Sequence, residues 1–113
     1  MSTNDPLAVA AASAQGFEVL QCEECARSMK HALLAAGHRG QIIEIRAAAG
    51  RYFIVCISYD GGRCAISQNG RHVGVRIGNM VFDNLHPQGM LFDRWLEDFE
   101  AVGGVAVTSV VDF

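Results

Sequence analysis

Between Cys22 and Ala36 the apolar residues recur at intervals of three and four: Cys22, Cys25 with Ala26, Met29, Ala32 with Leu33, and Ala36. Glu23, Glu24, Arg27, Lys30 and His31 fall on the other side, so the pattern predicts an amphipathic helix. Acids open it and bases close it, Glu23 and Arg27 stand four apart as an ion pair, and Gly37 suits a left-handed cap. After the Gly40 turn come β-branched and aromatic runs, Ile42 to Ile45, Tyr52 to Ile57 and Cys64 to Ile66. These read as strands separated by Gly50-Arg51 and Asp60-Gly61-Gly62. Arg71 to Ile77 and Met80 to Asn84 follow, joined by Gly78-Asn79, a dipeptide suited to a two-residue hairpin turn. Leu91, Phe92, Trp95, Leu96 and Phe99 make one stripe over Met90 to Phe99, a second helix, and Val105 to Val111 is a closing strand. A helix, a mostly antiparallel sheet, then a helix and a strand make an α+β fold.

Residues 1–15 lack any amphipathic period and carry Pro6 as a breaker, so they read as a linker or loosely helical, flexible lead to a domain over 16–113. The 113-residue chain is 50% hydrophobic and 19% charged, which suits one domain with a real core and excludes a disordered chain. Nine scattered Lys and Arg against twelve acids give a formal charge of -3, so no nucleic-acid footprint is present. The longest apolar stretch, Leu7 to Ala14, falls far short of the roughly 20 residues of a membrane helix, so no span is expected. Met1 to Asp5 also lacks the basic residues of a signal peptide.

Four cysteines are too few for a disulfide scaffold and are the compositional clue to chemistry. Cys22-Glu23-Glu24-Cys25 can be half of a zinc site, a redox pair, a nucleophile with a neighbour, or two buried thiols on the apolar stripe. Zinc requires a second pair, and Cys56 and Cys64 lack knuckle spacing; they read as packing residues in or near strands. A redox pair expects a strand leading into the motif, whereas these strands follow the helix. No metal or cofactor is therefore expected. Position separates the two thiols of the motif. Cys22 falls in the first turn, where unpaired N–H groups and the helix dipole favour a thiolate, and Cys25 sits a turn further in, where the effect fades. Glu23 and Glu24 oppose the shift, so a base is required.

The hairpin supplies one. With Gly78-Asn79 as its turn, Ile77 pairs with Met80, Val75 with Phe82 and Gly74 with Asp83. His72, Gly74 and Arg76 then share a face with Asp83, while Val73, Val75, Ile77 and Phe82 share the opposite face with Asn84. Asp83 lies diagonally across from His72 over a glycine, within reach of a hydrogen bond that would orient the imidazole. A slip of one residue would select Asn84 instead. The plainer alternative is a half-exposed histidine beside a turn aspartate. His31 and His38 read as solvated surface groups, and His86, before Pro87, as a residue that shapes a loop or binds substrate.

These residues carry a resemblance. Cys22-Glu23-Glu24-Cys25-Ala26, with Leu33-Leu34 and Gly37, is similar to the nucleophile-bearing helix of transglutaminase-like and papain-like cysteine enzymes. Asn69 to Gly74, then Val81-Phe82-Asp83-Asn84-Leu85-His86-Pro87, Gly89 and Trp95, resembles the second papain-fold toxin family of bacterial polymorphic toxin systems. The likeness spans about residues 17–97. It implies a papain-like/transglutaminase-like core in which the Cys-bearing helix packs on the sheet. Cys22 would be the nucleophile, His72 the general base and acid, and Asp83 the residue that orients His72. Cys25 belongs to the same motif and competes for the nucleophile role, which the spacing to Ala26 and the helix end give to Cys22. Papain's glutamine, several residues before the cysteine, has no counterpart, so the backbone N–H of Cys22 and the Gln21 side chain are the candidate oxyanion donors, with Asn84 as a supporting residue.

The implied function is that of a toxin or effector domain acting on an amide of a target protein by acyl transfer. Glutamine deamidase or cysteine peptidase is expected, with transglutaminase a third outcome of the same steps. The same likeness implies manufacture in a bacterial cytoplasm, delivery as part of a larger toxin, action in a target-cell cytoplasm, and a cognate immunity protein as partner. The alternatives are a non-catalytic protein-binding module of the same fold and a small zinc-binding domain built on Cys22 and Cys25.

Overall fold

The computed structural model describes residues 4–49, 53–67 and 69–113. Helix α1 (Pro6–Ser13) starts where Asp5 accepts a hydrogen bond from the Leu7 N–H at 3.2 Å, with Pro6 in the first turn, where a missing N–H costs nothing. Pro6 therefore begins a helix instead of breaking one. Ala10 and Ala14 are buried against helix α2 (Cys22–Ala35), and the Ser28 hydroxyl donates to the Ser13 carbonyl at 3.0 Å. The lead expected over 1–15 is thus a packed helix over Pro6–Ser13. Its alanine-rich faces differ too little in polarity to leave a stripe.

Helix α2 ends as its sequence implies. Gly37 adopts φ +84°, its N–H reaches the Leu34 carbonyl at 3.0 Å, and the His38 N–H reaches Leu33 at 2.8 Å, which is a Schellman cap. The expected Glu23–Arg27 pair does not form. Arg27 meets Glu24 at 3.8 Å on the exposed face, and Glu23 instead pairs with Arg71 across the fold.

Among the described residues eight strands follow in chain order: β1 (Gln41–Ala47), β2 (Ile54–Cys56), β3 (Ala65–Ser67), β4 (Arg71–Ile77), β5 (Met80–Phe82), β6 (Met90–Leu91), β7 (Phe99–Glu100) and β8 (Val105–Asp112). An antiparallel sheet runs β6-β5-β4-β1-β8, and a second runs β3-β2-β7. The Gly78-Asn79 hairpin has the expected register, Ile77 opposite Met80 and Val75 opposite Phe82, with Gly78 at φ +59°. Three expectations change. The second helix is only α3 (Phe92–Glu97), because Met90–Leu91 pairs with β5 and Phe99–Glu100 with β2; the apolar stripe runs on through both strands. The strand expected over Tyr52 to Ile57 is Ile54–Cys56, and Gly50-Arg51 and Tyr52 lie outside the described residues. Cys64 is exposed and donates to Asp60 Oδ2 at 3.0 Å, so it is not a packing residue, whereas Cys56 is buried.

The larger sheet is the middle layer. Val73, Val75 and Phe82 pack against α1 and α2 on one face, and Ile43, Ile45 and Val81 pack on the other with Trp95 of α3 and with Ile54 and Ile66. The alternation of β4 thus sends Val73 and Val75 toward the helices and leaves His72 and Gly74 opposite, in register with Ile45 and Ile43. A Cβ on Gly74 would lie 2.8 Å from Val81 Cγ1, 3.0 Å from Trp95 Cζ2 and 3.2 Å from the Phe82 carbonyl oxygen. Gly74 is therefore the space into which Trp95 fits. Gly74→Ala is expected to destabilise the domain by about 1–3 kcal/mol in urea unfolding, and a loss below about 0.5 kcal/mol would show that the ring yields freely.

Candidate active site

Asp83 follows β5 and is completely buried. Its carboxylate accepts five hydrogen bonds: Oδ2 from His72 Nε2 at 2.8 Å and Trp95 Nε1 at 2.8 Å, and Oδ1 from the Leu85 N–H at 3.0 Å, the His86 N–H at 2.6 Å and His86 Nδ1 at 2.8 Å. Burial alone would raise its pKa, but the donors from His72 and His86 hold it far below the ordinary carboxylate range. Asp83 is ionised, so His72 donates through Nε2–H and Nδ1 is the ring nitrogen left to take up or release a proton.

His72, near the start of β4, is 1% exposed and lies against the rings of Phe99 and Trp95. Burial alone would lower its pKa, yet the hydrogen bond to Asp83, joined by Cys22, raises it from 6.5 to about 9. Nδ1 is buried and makes no hydrogen bond among the described residues. Cys22, the first residue of α2, is thus close enough to act on the imidazole whose open nitrogen has no other partner.

Cys22 also lines a cleft of about 330 Å³ with Leu20, Glu23, Ile66, Ser67 and Arg71. Arg71 closes one wall by binding Glu23 of α2 and Glu44 of β1; burial would raise the Glu44 pKa, but the hydrogen bonds from Arg71, Arg46 and Thr108 lower it to about 2. Leu20 enters the turn before α2 at φ +74°, a conformation rare for a branched side chain. Asn84 holds this turn by donating from Nδ2 to the Glu18 carbonyl at 2.8 Å, and Gln21 Oε1 accepts from the Glu18 N–H at 2.9 Å. Gln21 is itself exposed at the mouth of the helix. Cys25 has a different environment. It is 0% exposed, its thiol donates weakly to the Ala14 carbonyl at 3.7 Å, and burial, then Asp83 and Cys22, push its pKa up to about 12.

His31 is exposed as expected, and His38 is half-buried with its Nε2 on the Asn4 carbonyl. His86 is the larger departure. Its Nδ1 faces Asp83 and its Nε2 lies 2.6 Å from Asp98 Oδ2. Asp98, buried after α3, also accepts from the Cys56 thiol at 3.2 Å and the Ser58 N–H at 3.1 Å. His86 shapes the loop after β5, and sequence reasoning missed Asp98 altogether. Asp98 follows the stripe of α3 directly and nothing in its spacing marks it as buried. Among the described residues, Cys56, His86 and Asp98 are the ligand-type side chains whose donor atoms all lie within 4.8 Å of one another, and the group contains neither Cys22 nor Cys25.

A family model described as papain fold toxin 2 matches residues 7–100. The chain belongs to that family. No curated protein and no solved structure matches it significantly. The α+β architecture, with the Cys-bearing helix packed on an antiparallel sheet, is that of a papain fold toxin. The matched span of this papain fold toxin takes in α1 and ends before β8. Among the described residues no helix is long and apolar enough to cross a membrane.

The shifts carry a sign. The folded-state pKa of His72 exceeds its ordinary 6.5, so the stability it contributes is full below about pH 6.5 and is lost as pH rises through about 9. Asp83 runs the other way: its contribution is full above the ordinary carboxylate range and is lost in acid as the carboxylate protonates. The melting temperature of the wild type should fall from about pH 6.5 to 9, and His72→Ala should lack that part of the fall. Equal slopes in the two proteins would refute the assignment.

Proposed function

We propose that this papain fold toxin domain is a cysteine hydrolase that cleaves an amide of a target protein by acyl transfer, with Cys22, His72 and Asp83 as its reacting set. The observation that supports this best is the arrangement of His72. Its Nε2–H is fixed by a buried carboxylate at 2.8 Å, Nδ1 has no partner among the described residues, and Cys22, near enough to act on the imidazole, lines a cleft. The thiol of Cys22 gives its proton to His72 Nδ1 and the sulfur attacks the amide carbon. The resulting imidazolium protonates the departing amine or ammonia as the C–N bond breaks, leaving a thioester. His72 then takes a proton from water, whose oxygen attacks the thioester carbon. The acid departs and Cys22 recovers its proton. The first-turn N–H of Cys22 and the side-chain amide of Gln21 are the candidate donors for the oxyanion, and Asn84 is the candidate support, since it donates to the Glu18 carbonyl in the turn before them. Cys25, buried and with its pKa raised, packs.

Glutamine deamidation and peptide cleavage use these steps with different leaving groups, and transglutamination replaces the water by an amine. A cleft of about 330 Å³ suits an extended segment or exposed side chain of a protein substrate. By family analogy the domain is delivered to a target cell as part of a larger toxin and held inactive in its producer by an immunity protein. A non-catalytic binding module would leave the buried, carboxylate-bound His72 without a task, and among the described residues the side chains grouped closely enough to hold a metal include neither Cys22 nor Cys25.

Iodoacetamide labelling from about pH 5 to 9, read by mass spectrometry, tests the reading. Cys22 should react at least tenfold faster than Cys25 and Cys56 near neutral pH and lose that advantage in His72→Ala. Equal rates, unaffected by the substitution, would sink the catalytic assignment. On expression in a susceptible host, Cys22→Ser should abolish growth inhibition and Cys25→Ala should retain it; the opposite pattern would move the nucleophile to Cys25.

A further inference from the structure

Behind Asp83 lies a second layer of buried charge that the chemistry above does not use. His86 is held between two carboxylates, with Nδ1 2.8 Å from Asp83 Oδ1 and Nε2 2.6 Å from Asp98 Oδ2. An ionised carboxylate only accepts, so both ring nitrogens must donate and His86 is an imidazolium. Asp98 is anchored in turn by the Ser58 N–H and the Cys56 thiol. A metal held by Cys56, His86 and Asp98 would fit this spacing poorly. Nitrogen and oxygen ligands on a tetrahedral zinc stand about 3.3 Å apart, whereas 2.6 Å is a short hydrogen bond.

The charge count shows what the pair does. Asp83 alone would present a full buried negative charge to His72 and favour its protonated form without relief. With His86 on its far oxygen, that charge is divided between two cationic partners. The other groups around His72 do not replace it: Cys22 and Cys25 lie on α2, Trp95 and Phe99 offer rings, and Arg71 is taken up by Glu23 and Glu44. Around His86 the facing groups are Asp83, Asp98, Cys56 and the Phe99 ring.

We propose that His86 is a positioning residue that acts through Asp83: doubly protonated and anchored by Asp98, it offsets the carboxylate's charge so that His72 can release its proton. This rests on His72 being the base of the proposed site. It gives Asp98 the task of holding the His86 ring in place, while Asp83 by itself suffices to keep that ring charged.

Protein labelled with ring-¹³C histidine allows the test, with the His72 signal assigned by its absence from His72→Ala. In His86→Gln the pH midpoint of His72 should rise by about one unit, because a cation has been removed while Asp83 stays ionised on its remaining N–H donors. In Asp98→Asn, where His86 remains held by Asp83, the midpoint should fall by several tenths of a unit. A merely structural role would lower the melting temperature of both variants without moving the midpoint in opposite directions. The proposal is overturned if a cooperatively folded variant of either kind keeps the wild-type midpoint to within about 0.2 unit. Should His86→Gln not fold, Asp98→Asn decides alone. One zinc per purified chain, lost in Cys56→Ser, would also overturn it. Iodoacetamide labelling of Cys22 in the same wild-type sample separates the two ideas: an inert Cys22 with shifted midpoints ends the hydrolase reading alone, and a reactive Cys22 with fixed midpoints ends the charge-balancing role alone.

Discussion

A single ionised carboxylate, sealed from water, is the constraint around which this domain is arranged. An isolated buried charge of that kind costs several kcal/mol, and a partial set of donors would leave most of the cost standing. Asp83 is satisfied by five donors drawn from different parts of the fold: a strand histidine, a helix tryptophan, and the backbone and ring of its own turn. Each tie constrains the element that provides it. Trp95 can donate only because Gly74 leaves room for its ring, and His86 reaches back only because the turn at Asp83 curls through its own backbone N–H groups. The carboxylate thus fixes the relation of β4, α3 and the loop after β5 more tightly than apolar packing alone would.

Much of this was legible in advance, and where it was, a strong periodic or stereochemical signal was responsible. The stripe of α2 and the demand of Gly37 for a left-handed backbone set that helix to within a residue. The Gly78-Asn79 turn fixed the pairing of β4 with β5, and side-chain alternation then separated Asp83 from Asn84 as the partner of His72. The misreadings share an opposite cause. In α1 the small alanines bury a face that pattern cannot distinguish from the other, and Pro6, a breaker by composition, stands in the first turn behind the Asp5 cap. Around α3 an apolar stripe continues through two short strands, so periodicity overestimates the helix.

Charged partners were the least legible part. Glu23 had a plausible partner four residues along its own helix, but the structure gives it Arg71, 48 residues away, which bridges on to Glu44. Asp98 and His86 likewise find each other only through the tertiary fold. Sequence spacing reports neighbours on one element. Ion pairs between elements depend on where those elements dock, and that is decided mainly by apolar faces indifferent to the charges they bring together.

The position of Cys22 on the first turn of a helix, with His72 and Asp83 on a hairpin far along the chain, has a further consequence. No local segment contains the proposed set: the hairpin pairs His72 with Asp83, but the thiol comes from a helix far away in the chain. Docking α2 onto the sheet closes a long loop and brings the thiol and the imidazole together in the same event that buries the core. A threaded or unfolded copy of this chain carries every atom of the proposed set and none of its geometry. The chemistry proposed for it is therefore a property of the folded domain alone.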